Sequence, residues 1–249
     1  MITRAQIVKL GALHAVEPTM LSLYLAVPSP GDPAALAARA GELITAAEAA
    51  CGQPLTARER DWVLDKLPPC ARDCTGCTVA VFACAGSGLF EAIVLPCPLP
   101  ERGVLGVRPH IRPLLLARQR CLVPDQASPD VAWRPEVPAR RTAATILALP
   151  AGGQPAVGVA ACLAAVSGGP VQTLVVPGDG LVPGYECGRC GTLSLDADTC
   201  CPDWGTAALP VVDVIEEMVS RVLEDGGDVL VDDGGLPFTL TCRTTEAEA

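Results

Sequence analysis

Closely spaced cysteines are the residues of this chain best suited to chemistry. Cys187 and Cys190 form a Cys-x-x-Cys pair followed by glycine, and Cys200 and Cys201 come soon after them. Two knuckles of this kind bind zinc tetrahedrally, because each turns its thiolates towards one point and glycine permits the tight turn. Trp204 stands where the second knuckle would place its last cysteine. Two alternatives stay open: a structural zinc site at 187–201, or a ribbon without metal held by packing of Trp204.

A second cluster consists of Cys70, Cys74 and Cys77, with the spacing Cys-x-x-x-Cys-x-x-Cys. Three thiolates in one loop can hold an iron–sulfur cluster or zinc. Radical-SAM enzymes use the same spacing, but after the first strand of a barrel, and this chain lacks an eightfold strand–helix pattern. The cysteines that could add a fourth thiolate are Cys51, Cys84 and Cys97. The alternative is that the three are reduced loop thiols, as is usual in the cytosol.

Composition excludes several classes of protein. The chain has 249 residues, of which 50% are hydrophobic and only 3% aromatic. No uncharged apolar run reaches the roughly 18 residues that a membrane span needs, and the first residues do not follow the pattern of a secretory signal. We therefore expect a cytoplasmic protein without a membrane partner. Neither of the two histidines, His14 and His110, has a Ser or Cys partner at motif spacing, so we expect no catalytic residues.

Charge is distributed unevenly along the chain. Residues 1–141 carry 15 Lys or Arg and 13 Asp or Glu, whereas residues 142–249 carry 3 and 15. Five arginines lie in a stretch whose one acidic residue is Glu101 at its edge, so this face could meet RNA phosphates or could simply be solvated. They are Arg102, Arg108, Arg112, Arg118 and Arg120. The acidic second half favours a protein partner with a basic surface, or simple solubility.

Periodicity and turn residues predict two small α/β modules. In the first, residues 1–120, we predict a strand at 20–26, helices at 33–50 and 56–67, a strand–turn–strand hairpin at 79–95 and a helix at 110–118. Thr56 and Glu59 form a capping-box pattern at the second helix. Residues 121–138 contain four prolines and have the composition of a linker.

The second module, residues 139–249, alternates helices and strands, which favours a sheet covered by helices. We predict helices at 139–149, 155–167 and 211–224. Strands are predicted at 171–176, 228–231 and 237–242. A zinc-ribbon-like cysteine insert at 184–205 interrupts this order.

Taken in order, these segments resemble bacterial relatives of the archaeal and eukaryotic class-1 release factor and Pelota family. The N-terminal segments are LSLYLAV, VAVFACAGSGLFEAIVLPCPLPE and RPHIRPLL. The C-terminal segments are VGVAACLAAVSGGPVQTLVV, CGRC, CCPDWG, DVIEEMVSRVLEDGGDVLV and GGLPFTLTCR. The resemblance implies an N-terminal domain at about 18–118 and a C-terminal domain with a zinc-ribbon-like insert at about 139–243.

The chain departs from that family at its centre. Relatives carry a whole domain between the two modules, and this chain has only the proline-rich span there. In catalytic members the missing domain bears the Gly-Gly-Gln loop that promotes peptidyl-tRNA hydrolysis. Gly152, Gly153 and Gln154 repeat that triplet, but Pro155 follows and the triplet lies between two predicted helices, where glycine pairs favour a turn.

The resemblance implies a non-catalytic protein that binds the ribosome or a translation factor, with stress or hibernation as the expected setting. The arginine-bearing module would face ribosomal RNA, and the acidic module would face a protein such as a translational GTPase. The alternatives are a cysteine-based metal or redox protein centred on Cys70, Cys74 and Cys77, and a peptidyl-tRNA hydrolase that uses Gln154.

Overall fold

The computed structural model describes residues 2–15, 17, 19–27, 33–67, 76–121, 155–196, 208–232 and 241–244. The chain separates into two compact units, Met1–Pro113 and Leu114–Ala249. Both contain helices and β-sheet, which confirms the α/β fold class. Residues 122–138 of the predicted linker and the predicted helix 139–149 lie outside the described residues. Within the described ranges, no helix has both the length and the apolar composition needed to cross a bilayer.

The first unit is built on a four-stranded antiparallel sheet with the order β3-β2-β1-β4. Its elements are α1 (Arg4–Gly11), β1 (Met20–Ala26), α2 (Pro33–Cys51), α3 (Ala57–Asp65), β2 (Thr78–Cys84), β3 (Leu89–Leu95) and β4 (Arg102–Gly106). The predicted strand, the two predicted helices and the hairpin are therefore confirmed. Strand β4 is not among the predicted elements.

The main core of this unit lies between the sheet and α2. Alternate residues of β1 and β2, such as Leu23 and Val81, point to one face because the strand period is two. They pack with Ala40 and Ile44 of α2, and all four side chains are fully buried. Burial of a leucine or isoleucine contributes about 1.5–3 kcal/mol to stability, so this layer holds α2 on the sheet.

The opposite face of the same strands carries larger and more polar groups. The rings of Tyr24 and Phe82 meet edge to face, with 6.1 Å between their centroids. The Tyr24 hydroxyl donates to the backbone carbonyl of His110 at 2.5 Å, and the His110 amide donates to the Ser22 hydroxyl at 2.9 Å. These bonds satisfy buried polar groups, which would otherwise destabilise the fold.

The start of α3 follows its predicted capping pattern. The Thr56 hydroxyl accepts from the Glu59 amide, and the Glu59 carboxylate accepts from the Thr56 amide at 2.8 Å. Both bonds satisfy amides that the first turn of a helix leaves without partners. The local sequence therefore fixes where this helix begins.

The second unit contains a mixed four-stranded sheet and a three-stranded antiparallel sheet. Its elements are α4 (Arg112–Cys121, which spans the division), β5 (Ala156–Val157), α5 (Val159–Gly168), β6 (Val171–Pro177), β7 (Gly184–Cys187), β8 (Leu193–Ser194), β9 (Ala208–Val211), α6 (Val214–Glu224), β10 (Asp228–Asp232) and β11 (Thr241–Thr244). The larger sheet has the order β10-β6-β11-β5, and the smaller has the order β8-β7-β9.

Three boundaries in this unit differ from the predictions. The helix expected from 155 begins at Val159, because Ala156–Val157 pair with β11 and Gly158 has a left-handed φ of +92°. The helix expected from 211 begins at Val214, because Asp213 caps it by accepting from the Ile215 amide at 3.1 Å. The closing strand is described only as Thr241–Thr244, and residues 233–240 lie outside the described part.

Strand β10 lies at the edge of the larger sheet. The side-chain carbonyl of Gln119, in α4, accepts from the amide of Val231 at 3.0 Å. Parallel pairing with β6 occupies the other side of this strand. The side chain therefore satisfies an amide that an edge strand would leave exposed for pairing with another chain.

Gly103 in β4 provides a test of the first unit's packing. A Cβ at this position would lie 2.4 Å from the carbonyl oxygen of Leu43 in α2, so Gly103→Ala must push the helix away from the sheet. We expect a loss of about 1–3 kcal/mol in the free energy of unfolding, measured by urea denaturation. Gly106→Ala, in the same strand, is the control, because its Cβ would lie 3.8 Å from its nearest neighbour. Equal effects of the two substitutions would contradict this account.

Candidate functional site

The Cys187–Cys190 pair occupies a tight turn between β7 and β8. The Cys187 amide donates to the Thr192 carbonyl at 2.9 Å, and the Gly191 amide donates to the Cys187 carbonyl at 2.8 Å. Gly191 has a φ of +73°, a left-handed conformation that suits glycine. The first cysteine is buried, the second is exposed, and the Cys190 sulfur lies 3.2 Å from the Thr192 hydroxyl. These backbone hydrogen bonds close the turn, so both cysteines lie in one short loop, which we call the knuckle.

A guanidinium group connects this knuckle to helix α6. Arg221 donates through Nη2 to the Glu186 carboxylate at 3.1 Å and also to the Gly191 carbonyl oxygen. Both charged side chains are mostly enclosed, with 20% of Arg221 and 15% of Glu186 exposed. Sequence reasoning missed this contact. One signal was available: Arg221 is one of only three basic residues in the acidic half of the chain.

The knuckle belongs to the three-stranded sheet of β7, β8 and β9. Glu186 faces Leu193 of β8 on one side and Leu209 of β9 on the other. Gly184 begins β7 where a Cβ would lie 2.2 Å from Val214 and 2.6 Å from the Ser194 carbonyl, so the insert packs closely on the start of α6. Cys200 and Cys201, the other predicted zinc ligands, lie outside the described residues. What the structure describes is one half of a candidate metal centre.

An open groove of about 360 Å³ lies beside the knuckle, between α5 and the end of β8. One wall carries Ala160, Leu163, Ala164 and Ser167, and the other carries residues 192–196. Its volume is within the range of small-molecule pockets, and its lining is mixed: five apolar residues lie beside Ser167, Thr192, Ser194 and Asp196.

The structure describes only Cys77 of the second predicted cluster, since Cys70 and Cys74 lie outside the described residues. Cys77 directly precedes β2, whereas Cys84 ends that strand. Seven residues of strand span about 23 Å, so Cys84 cannot share a metal with Cys77. Cys97 lies nearer, because the Thr78 hydroxyl donates to its carbonyl at 3.0 Å.

Cys84 has a perturbed thiol of its own. Burial raises the pKa of this thiol, but hydrogen bonds from the Ser87 and Thr19 side chains and from the Ser87 and Gly86 backbone together bring it below its ordinary value. The Thr19 hydroxyl lies 3.6 Å from the sulfur. The partners of this thiol therefore come from its own turn and from the residue before β1.

The first three predicted RNA-binding arginines belong to the first unit and differ in exposure. Arg102 is half-buried, with Nη1 3.4 Å from the His110 imidazole. Arg108 is half-buried and donates to the Gly11 carbonyl at 3.1 Å. Arg112 is fully buried. These side chains have roles within the protein, and Arg112 is not presented to solvent.

The remaining two arginines lie in the last turn of α4, within the second unit. Arg118 is half-buried and Arg120 is exposed. Positive charge is favourable at this end of a helix, because the helix dipole places partial negative charge there. The predicted basic stretch is therefore divided between the two units, and its most exposed member is Arg120.

Gln154, which the hydrolase alternative requires, lies outside the described residues together with Gly152 and Gly153. No protein-family model and no curated protein matches this chain.

Arg221→Met should destabilise the knuckle. The substitution retains most of the apolar stem but leaves the Glu186 carboxylate and the Gly191 carbonyl without this donor. We expect a loss of about 1–3 kcal/mol in unfolding free energy, with faster amide exchange at Cys187 and Gly191. Arg58→Met, at an exposed position on α3, should change stability by less than about 0.5 kcal/mol. Unchanged exchange in the Arg221 variant would show that the guanidinium does not hold the turn.

Proposed function

We propose that this protein is a non-catalytic cytoplasmic protein that binds the ribosome or a translation factor. The observation that carries the proposal is the order of elements in the second unit. Helix α5 and strand β6 lead into a cysteine-bearing three-stranded insert, which is followed by α6, β10 and a closing strand. That is the order implied by the resemblance to the release factor and Pelota family.

Contact with ribosomal RNA would use the arginines that reach solvent. Arg120 is exposed, and Arg118, Arg102 and Arg108 are half-buried. Arginine pairs with phosphate through a planar fork of donors, and such contacts make binding weaken as salt rises. Arg112 has no part in this proposal, because its side chain is buried.

Contact with a protein partner, such as a translational GTPase, would use the second unit. Its surface combines exposed acidic residues with exposed leucines. The exposed acidic residues are Asp179, Asp196, Glu224, Asp225 and Asp228. The leucines are Leu181, Leu195 and Leu209, exposed by 36%, 43% and 60%. Exposed apolar residues surrounded by charged ones are typical of protein interfaces. The negative charge of this surface favours a partner with a basic surface.

Zinc fits the knuckle as a structural ion. Cys187 and Cys190 would supply two thiolates, and Cys200 and Cys201 are the candidates for the others. Bound there, the ion would cross-link β7 to the end of the insert and stabilise its fold. A site closed by four protein ligands leaves no position for a substrate, which agrees with a binding role.

Ribosome association should depend on salt and on the arginines of α4. We expect the native-level protein to co-sediment with ribosomes from growing or starved cells in a sucrose gradient. Arg118→Gln with Arg120→Gln should reduce the slope of log affinity against log salt by about 1 for each phosphate contact removed. Arg58→Gln, an exposed arginine on α3, is the matched control and should leave the slope unchanged. Absence from every ribosomal fraction would overturn the ribosome arm of the proposal.

Metal content tests the zinc site. Purified without chelator, the protein should carry about one zinc ion per chain by mass spectrometry of the elements. Cys187→Ser should remove that zinc and lower the stability of the insert, because each structural ligand contributes to folding. Cys121→Ser, at a half-buried cysteine outside both candidate clusters, should retain the metal. Metal-free wild-type protein would favour the alternative of a ribbon without metal.

A further inference from the structure

Two cysteines outside every predicted motif meet inside the second unit. Cys162 lies on α5 and Cys242 on β11, and neither is exposed to solvent. Cys242 is the strand partner of Ala156 in β5. The Cys162 sulfur lies 3.4 Å from the carbonyl oxygen of that same Ala156. One residue of β5 thus brings together two thiols that are about 80 positions apart in sequence.

The two thiols shift each other's pKa. The Cys162 thiol is hydrogen-bonded to Cys242, which raises the pKa of Cys162 with further help from burial. The same hydrogen bond lowers the pKa of Cys242, against the effect of burial. These shifts distinguish the two thiols: Cys242 gives up its proton more readily than Cys162 does.

We propose that Cys162 and Cys242 form a reversible disulfide that fastens the closing strand β11 to helix α5 when a peroxide oxidant is present. The Cys242 thiolate attacks a peroxide oxygen, the O–O bond breaks, and Cys242 becomes a sulfenic acid, while the departing hydroxide takes up the proton that the Cys242 thiol had released and leaves as the first water. The Cys162 sulfur then attacks the Cys242 sulfur, the S–S bond forms, and the hydroxyl leaves as the second water. The peroxide is reduced by two electrons, and the two thiols are oxidised by two.

The position of the pair determines the consequence of the bond. It closes a loop that contains β6, the cysteine insert, α6 and β10. A cross-link over so long a loop restricts the unfolded chain and so stabilises the folded unit. Complete burial makes the reaction slow, since the oxidant reaches the sulfurs only when the unit opens locally. This inference does not depend on ribosome binding.

Peptide mapping of the full chain tests the proposal. Reduced protein is treated with hydrogen peroxide, its free thiols are alkylated under denaturing conditions, and it is digested without reductant by trypsin and a glutamate-specific protease. Cleavage after Glu186, Arg189 and Arg221 separates Cys162, Cys187, Cys190 and Cys242 onto different peptides. The expected product joins the Cys162 and Cys242 peptides, has lost the mass of two hydrogen atoms, and disappears on reduction.

Thermal unfolding supplies a second readout. Oxidation should raise the Tm of the wild-type protein by on the order of 5 °C. Cys242→Ala should abolish the rise, whereas Cys121→Ala should keep it. If Cys242→Ala does not fold, the wild-type peptide map decides. The proposal is overturned if exposed Cys190 is oxidised while Cys162 and Cys242 are both recovered as free thiols, or if either forms its disulfide with another cysteine.

Discussion

The candidate site depends on one charged contact, that of Arg221 with the cysteine turn. This guanidinium lies on α6, yet its hydrogen bonds go to Glu186 and to the Gly191 carbonyl on either side of the knuckle. A buried arginine is tolerated only where its donors are satisfied, so the helix and the turn must hold each other in place. The same helix packs against β6 and β10 of the larger sheet. The cysteine insert is therefore held next to the larger sheet by the hydrogen bonds of Arg221 as well as by the chain segments that enter and leave it.

Sequence patterns predicted the helices and strands that form because of the residues within and next to them. The strand at 20–26 and the helix from Pro33 follow from apolar runs bounded by turn residues, and the capping box at Thr56 marks the start of α3. β4 was missed because Arg102–Gly106 is short and contains two glycines, and it becomes a strand only by pairing with β1. Ala156–Val157 were assigned to a helix for a similar reason, since their strand exists only beside β11.

In the candidate site, too, local features could be predicted from the sequence and long-range features could not. The Cys-x-x-Cys spacing and its glycine identify the knuckle from the sequence, because the turn that joins the two cysteines is local. The arginine stretch was identified as a charge pattern, but composition cannot show that Arg112 is enclosed while Arg120 is exposed. The pairing of Cys162 with Cys242 depends on a distant strand register and leaves no local signal.

Strand β11 lies between β6 and β5, inside the larger sheet. Both of its neighbours precede it in the chain by many residues, so its place stays open until residues 241–244 have been made. Domains tend to fold as units in the order in which they are made, and the first unit can form its whole sheet much earlier. Until the final strand arrives, the inner edges of β6 and β5 expose unpaired backbone groups and the apolar side of α5. Before β11 pairs, the second unit is therefore an incomplete domain, and loss of residues 241–244 would leave it in that state.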